Sequence, residues 1–426
     1  MSETEIFRKK LPPETREVFD ILWNNLTPSE RQNLLPVLSS FPSEINLIRR
    51  LLRLSATQFK ITFGSKSHVA IVGPANVGKS TLYNQLVLQK EDSAEVSPLP
   101  GTTRQNQTAD IGLFTIVDTP GADAVGYTGE KEQEEAFLAA RQADFLIMMF
   151  DAIQGVKKTE LDLYWQLKAL KKPHAIVLNK IDLVRKQTDV VVERAAASLG
   201  IPAEEVIPIV AKTGENLDKV IMAIAISEPE IVAALGEALP HYRWQLAWRA
   251  IVSAASLSAV IALTPLPIID FAPLIVTQSV MVLGIARIYS YKISLARARE
   301  LIVTFGMGFL GRSLFYELSK LGGIPGWLLA AAVASSTTIA MGYAASVWFE
   351  SGHRLSIKTL RKITAEMTQY LLEILRGLGK RKPTQKSLRQ RIVEALEQSP
   401  ISKDRTILDQ QAKTAESPQI RTSKAS

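Results

Sequence analysis

Cysteine is absent from all 426 residues, and histidine occurs only four times. The first absence excludes disulfides, thiolate metal sites and thiol nucleophiles, and fits a reducing cytoplasmic setting. The second argues against a zinc cluster. The opening stretch MSETEIFRKKLPPETREVFD has charges throughout and no apolar core region, so no cleavable secretory signal is expected. An acidic balance is missing too: the net charge is +8, but from Lys380 onward eleven Lys or Arg stand against five Asp or Glu, so the tail alone carries +6. A folded nucleic-acid surface is therefore the weaker reading, and nucleic acid is not expected as a partner.

What is present is segregated along the chain, which is long enough for two or three folded units. Residues 1–64 read as an N-terminal helical extension packed on the next domain, with Val18, Phe19, Ile21, Leu22 and Leu26 in one helical pattern and Ile45, Ile48, Leu51 and Leu52 in another. From 65 to 227, short apolar runs (HVAIVG, LFTIVD, FLIMMF, HAIVLN, VIPIV) alternate with helical stretches such as 159–171 and 215–225. This alternation predicts an α/β domain, a mostly parallel sheet with helices on both faces and ligands at the strands' carboxyl ends. Residues 228–245 read as a linker. Residues 246–378 read as an apolar all-α domain, and 379–426 as a basic, disordered tail with one helix at 386–398.

The chemistry lies at the strand ends. GPANVGKS, residues 73–80, follows one apolar run and opens a helix, fitting G-x-x-x-x-G-K-[ST]. Backbone N–H groups from Gly73 through Asn76, Val77 and Gly78 to Thr81 are then expected to wrap phosphates at a helix N-terminus, with Lys79 adding a charge and Ser80 ligating Mg2+. DTPG at 118–121 closes LFTIVD, 39 residues after Lys79; Asp118 is expected in the magnesium shell and the Gly121 N–H at the γ-phosphate. NKID at 179–182 follows HAIVL. Asp182 can accept from guanine N1–H and the 2-amino group, which adenine does not offer; Asn179 meets the other base edge and the Lys180 stem covers the ring. Thr103 of PGTTR supplies a hydroxyl able to complete magnesium coordination. Val210, Ala211 and Lys212 form a further guanine loop, with the Ala211 N–H aimed at O6.

These motifs, in this order, resemble the Era, EngA and TrmE group of translation-factor-like small GTPases, over residues 67–226. Two departures are Val210 where the group has Ser, and Pro74-Ala75 in the first loop. The resemblance implies GTP hydrolysis, with Lys79, Thr103, Gly121 and Asn76 as the catalytic set. Ala122 stands where Ras-like proteins hold a water-orienting Gln, and Asn76 stands where relatives ligate K+. Hydrolysis is then slow unless stimulated by potassium, by dimerisation through the G domain or by a partner.

Beyond residue 228 the chain turns apolar. Ala250–Ile269 and Phe271–Ala286 are uncharged on either side of Asp270, and Leu321–Phe349 gives 29 residues without a charge. These lengths suffice to span a bilayer. TPLPIID predicts a hairpin or broken helix around Pro265–Asp270. Residues 264–290 resemble the domain of unknown function of YcjF-type bacterial inner-membrane proteins. That resemblance implies membrane association, with multi-pass or re-entrant segments at the cytoplasmic face of the inner membrane. A membrane-associated GTPase switch is thus expected, with no protein partner identified. The alternative is a soluble ribosome- or RNA-associated GTPase; no GxxG-bearing pattern or basic aromatic face supports it.

Overall fold

The computed structural model describes residues 5, 8–9, 16, 20, 56–66, 68–88, 103–104, 113–118, 137–263, 272–292, 318, 324–379, 381–402 and 404–416. They fall into two compact units. One comprises Gly64–Glu95 and Asn106–Leu246; the other comprises Met1–Phe63, Val96–Gln105 and Ala247–Ser426.

The first unit is built on strands β1 (Val69–Gly73), β3 (Phe114–Asp118), β4 (Phe145–Asp151), β5 (His174–Asn179) and β6 (Val206–Pro208), all parallel, in the order β3-β1-β4-β5-β6. The five apolar runs of the sequence are these five strands. Every residue of β1 and β4 is buried, as expected of a parallel sheet covered on both faces. The helices are α1 (Lys79–Leu88), α2 (Lys158–Ala169), α3 (Thr188–Leu199) and α4 (Leu217–Ser227). In α2, Glu160 accepts from the Lys157 N–H at 2.8 Å and so fixes the first turn. Tyr164 and Leu167 of α2 and Leu199 of α3 pack with Leu146, Met148 and Ile176 in one core. The register sets Gly73 beside Asp118 and Asp151 beside Asn179, so the carboxyl ends of four strands lie in pairs.

Residues 228–245 are folded, not a linker: they hold α5 (Val232–Ala238) and short 3-10 turns, with Ile231, Val232 and Leu235 fully buried. Pro229 and Pro240 start those turns, each where a missing N–H costs nothing.

In the second unit the helices are α6 (Arg243–Ala262), whose first turn precedes the division between units, α7 (Ala272–Ile288), α8 (Gly326–Ser351), α9 (Ile357–Arg376), α10 (Gln385–Glu397) and α11 (Thr406–Glu416). The three apolar runs are α6, α7 and α8, and the chain leaves α6 just before the Pro-rich stretch. Asp270 and the expected hairpin lie outside the described residues. In the most apolar stretch of α8, 94% of residues are buried. Its hydroxyls meet three neighbouring helices: Ser335 donates to the Ala255 carbonyl (2.9 Å), Ser336 pairs with Thr368 (2.5 Å), and Thr338 donates to Ser258 (2.9 Å) and accepts from Gln278 (3.2 Å).

The stretch 56–63 is helical and belongs to this second unit. Its Thr62 hydroxyl donates to the Val280 carbonyl of α7 at 3.0 Å, and Arg287 donates to the Thr62 carbonyl. The expected helices around Val18–Leu26 and Ile45–Leu52 lie outside the described residues, save Asp20. Gln385–Glu397 is the helix expected at 386–398, and Thr406–Glu416 is a second helix where composition predicts disorder. Their few apolar groups are spaced to one face: Leu388, Ile392, Leu396 and Leu408 are fully buried. The Thr384 side chain caps α10, and the Trp248 indole donates to the Leu396 carbonyl at 3.1 Å. In α11, Asp409 accepts from the Tyr343 hydroxyl at 2.6 Å. The same unit contains a two-residue ladder in which β2 (Thr103–Arg104) pairs antiparallel with β7 (Tyr291–Lys292).

Candidate nucleotide-binding site

The loop between β1 and α1 is shaped by two glycines. A Cβ on Gly73 would lie 2.5 Å from the Met149 carbonyl oxygen of β4, so the strands approach too closely there for a side chain. Gly78 has φ +102°, and a Cβ would lie 2.4 Å from Nδ2 of Asn179. Between them Asn76 takes the left-handed conformation, φ 61°. Val77 is buried and holds the loop to the core, while Ser80 and Thr81 are exposed at the first turn of α1. The Lys79 ammonium, 4% exposed with its residue, curls over the loop and donates to the carbonyls of Gly73 and Pro74, each at 2.7 Å.

The base-side loops meet this one through Asn179, a buried residue closing β5. Its Nδ2 donates to the Val77 carbonyl (2.8 Å), and its Oδ1 accepts from the Ala211 N–H (2.9 Å). One side chain thus ties the phosphate loop to the 210–212 turn. That turn is itself closed by the Gly214 N–H donating to the Val210 carbonyl (3.0 Å). The Ala211 N–H, expected at guanine O6, is engaged on Asn179, so a guanine claiming it must displace that acceptor. Asp182 and Lys212 are exposed, and Asp182 lies in the first turn after β5 with its carboxylate open to a base.

Lys180, between Asn179 and Asp182, has φ 68° and donates to the Asn76 carbonyl (2.7 Å) and to Asp151 (2.6 Å). Asp151 closes β4 with its side chain 4% exposed, and its other oxygen accepts from the N–H groups of Ile153 (2.8 Å) and Gln154 (3.3 Å). Burial pushes its pKa up, but Lys180 and the two N–H groups outweigh burial and hold it below the ordinary value. The sequence reading did not single out Asp151. Its signal was an acid ending an apolar strand, FLIMMFD, as Asp118 ends LFTIVD.

Asp118 lies beside Gly73 by strand register. Gly121 and Ala122 lie outside the described residues. Thr103 falls in β2, which belongs to the helical unit.

Residues 68–180 match the family described as 50S ribosome-binding GTPase, and residues 230–376 match a domain of unknown function, DUF697. Among curated proteins, GTPase Der of Symbiobacterium thermophilum is 37% identical over 39% of this chain and 36% of its own. GTPase Era of Halothermothrix orenii is 35% identical over 38% and 55%, and tRNA modification GTPase MnmE of Synechocystis is 34% identical over 44% and 46%. The chain therefore spans about a third to a half of the length of these relatives. A crystal structure of an Aquifex aeolicus Era variant bound to GDP and aluminium fluoride is 26% identical, with a TM-score of 0.30 over 48% of this chain and 69% of that one. A second Era structure, in complex with MgGDPNP and a segment of 16S ribosomal RNA, is 24% identical with the same TM-score over 49% and 70%. Residues 68–180 are thus similar to the GTPase domains of Era, Der and MnmE, and the same chain carries a match to DUF697 over residues 230–376.

Proposed function

We propose that the protein binds GTP and GDP, hydrolyses GTP to GDP and phosphate, and acts as a nucleotide-dependent switch on its helical unit or on a partner. The observation that carries this reading is the convergence on Asn179 and Lys180. Those two neighbours fasten the phosphate loop, the 210–212 turn and β4 together while Asp182 stays open to a base. On this reading Gly73, Asn76, Val77, Gly78, Lys79, Ser80 and Thr81 hold the phosphates. Asn179, Lys180, Asp182, Val210, Ala211 and Lys212 hold the guanine.

Ser80 and Asp118, the latter opposite Gly73 in the strand register, are the proposed hard oxygen ligands of Mg2+, and Thr103 is proposed to join them with triphosphate bound. The metal supplies charge neutralisation of the phosphates; Lys79 and the Gly121 N–H hold the γ-phosphate, and Asn76 is the proposed ligand for K+. Hydrolysis is expected to run faster in potassium than in sodium, and equal rates would remove that role from Asn76. Dimerisation through the G domain is the other proposed stimulant. Titration of the full chain with GTP and ATP tests the base assignment: Asp182→Ala should lose at least ~100-fold in GTP affinity and leave weak ATP binding unchanged. A GTP affinity untouched by Asp182→Ala would contradict it.

The switch reading is supported by the β2–β7 ladder, because Thr103, the residue proposed to sense triphosphate, is paired with Lys292 of the helical unit. A cytoplasmic membrane face is the proposed location. Among the described residues, two helices, Pro240–Ala262 and Gly326–Ser351, are long and apolar enough to cross a bilayer. Because α8 is enclosed by protein, it would cross as the inner helix of a bundle. Core helices of soluble bundles meet the same description, and the matched family's name refers to the 50S ribosome. A soluble, ribosome-associated GTPase is therefore the second reading. Carbonate extraction of membranes from cells expressing the chain separates them: retention in the pellet supports the first, and release together with co-sedimentation on ribosomes supports the second.

A further inference from the structure

Asp151 and Lys180 form an ion pair at 2.6 Å whose side chains are 4% and 29% exposed. Burying a carboxylate and an ammonium costs desolvation that their attraction recovers only in part, so such a pair contributes little to stability. What it fixes is geometry. One oxygen of Asp151 is held by the Ile153 and Gln154 N–H groups of its own turn, and the other faces Lys180. The carboxylate cannot swing without giving up those two backbone bonds. The ladder places Asp151 opposite Asn179, and the Ala152 N–H donates to the Asn179 carbonyl at 2.9 Å, so this turn and the guanine loop move as one piece.

Lys180 is the residue that needs such support. It is a non-glycine residue in left-handed backbone, a conformation that L side chains disfavour. Its four-carbon stem is otherwise free to rotate. With its ammonium stretched between the Asp151 carboxylate and the Asn76 carbonyl, the stem has one path. Asn76 is itself left-handed, so the same ammonium steadies the strained residue of the phosphate loop.

We propose that Asp151 is a positioning residue for nucleotide binding: through its ion pair it stretches Lys180 into a fixed floor for the guanine ring and, through Lys180, holds Asn76 and the phosphate loop in their binding shape. This rests on the reading of the site as a guanine-nucleotide site. Asp151 touches no nucleotide atom and has no role in base choice, which belongs to Asp182.

The test is a double-mutant cycle on the full chain, read as the dissociation rate of a fluorescent GDP analogue. Asp151→Asn keeps an oxygen for the turn's N–H groups and removes the charge facing Lys180; Lys180→Met keeps a stem and removes the ammonium. Each should speed GDP release about tenfold. The double variant should release no faster than Lys180→Met alone, because a residue acting through another has nothing left to act on. Asp151→Glu, which restores the charge, should fall between wild type and Asp151→Asn. An unchanged rate in Asp151→Asn, or effects that multiply in the double variant, would overturn the proposal and leave Asp151 as the cap of its own turn. Failure of the wild-type chain to bind the GDP analogue would instead remove the guanine-nucleotide reading itself.

Discussion

Asn179 carries two jobs that a shorter side chain cannot share. Replacing it with Ala leaves the Val77 carbonyl and the Ala211 N–H without their partner in a buried setting. Each such orphan costs about 1–3 kcal/mol. Asn179→Ala should therefore lower unfolding stability by a few kcal/mol in urea without nucleotide, as well as weakening GDP binding; an unchanged urea midpoint would mean the bracket is absent in solution. Asp151 adds a pH dependence of known sign. Its folded pKa lies below the ordinary 3.8, so its stabilisation is present above that value and is lost as pH falls through the lower folded value. The stability gap between wild type and Asp151→Asn should be constant near neutrality and narrow below about pH 3.8; a gap that widens in acid would reverse the assignment.

At the scale of elements, the hydroxyl belt of α8 is the feature that composition hides. A run such as LLAAAVASSTTIAMGYAAS reads as small and apolar, yet Ser335, Ser336 and Thr338 reach α6, α7 and α9. Thr338→Val removes the bridge between Gln278 and Ser258 at nearly constant volume. It should cost about 1–3 kcal/mol in urea unfolding, since the Gln278 amide is left buried without that acceptor; a neutral result would show that the belt contributes nothing to packing. Four strands of the α/β unit were legible because each is a largely apolar run of five to seven residues ended by Gly, Asp or Asn, where fold and ligand chemistry agree. Elements with a sparse apolar face were not. Helix α11 is anchored by Leu408, Ala412 and a polar contact from Tyr343, so its helicity depends on a partner 66 residues away in sequence. Asp151 escaped notice for the opposite reason: a single acid at a strand end has no spacing to distinguish it, and its meaning comes from Lys180 across the sheet.

At the scale of the whole molecule, the central claim is that nucleotide state reaches the helical unit. Thr103, the proposed magnesium ligand, is paired in the strand ladder with Lys292, and Arg104 with Tyr291. A two-residue ladder between segments so far apart in the chain has no local signal and was not legible. A ladder of two residue pairs is short, so its opening is proposed to lie within reach of a bound γ-phosphate. The most direct measurement is amide hydrogen exchange on the full chain, with GDP and then with a non-hydrolysable GTP analogue, in magnesium. The account predicts that protection at 103–104 and at 291–292 changes together between the two nucleotides, by about tenfold or more in exchange rate. A change confined to 103–104, with 291–292 exchanging identically in both states, would contradict it.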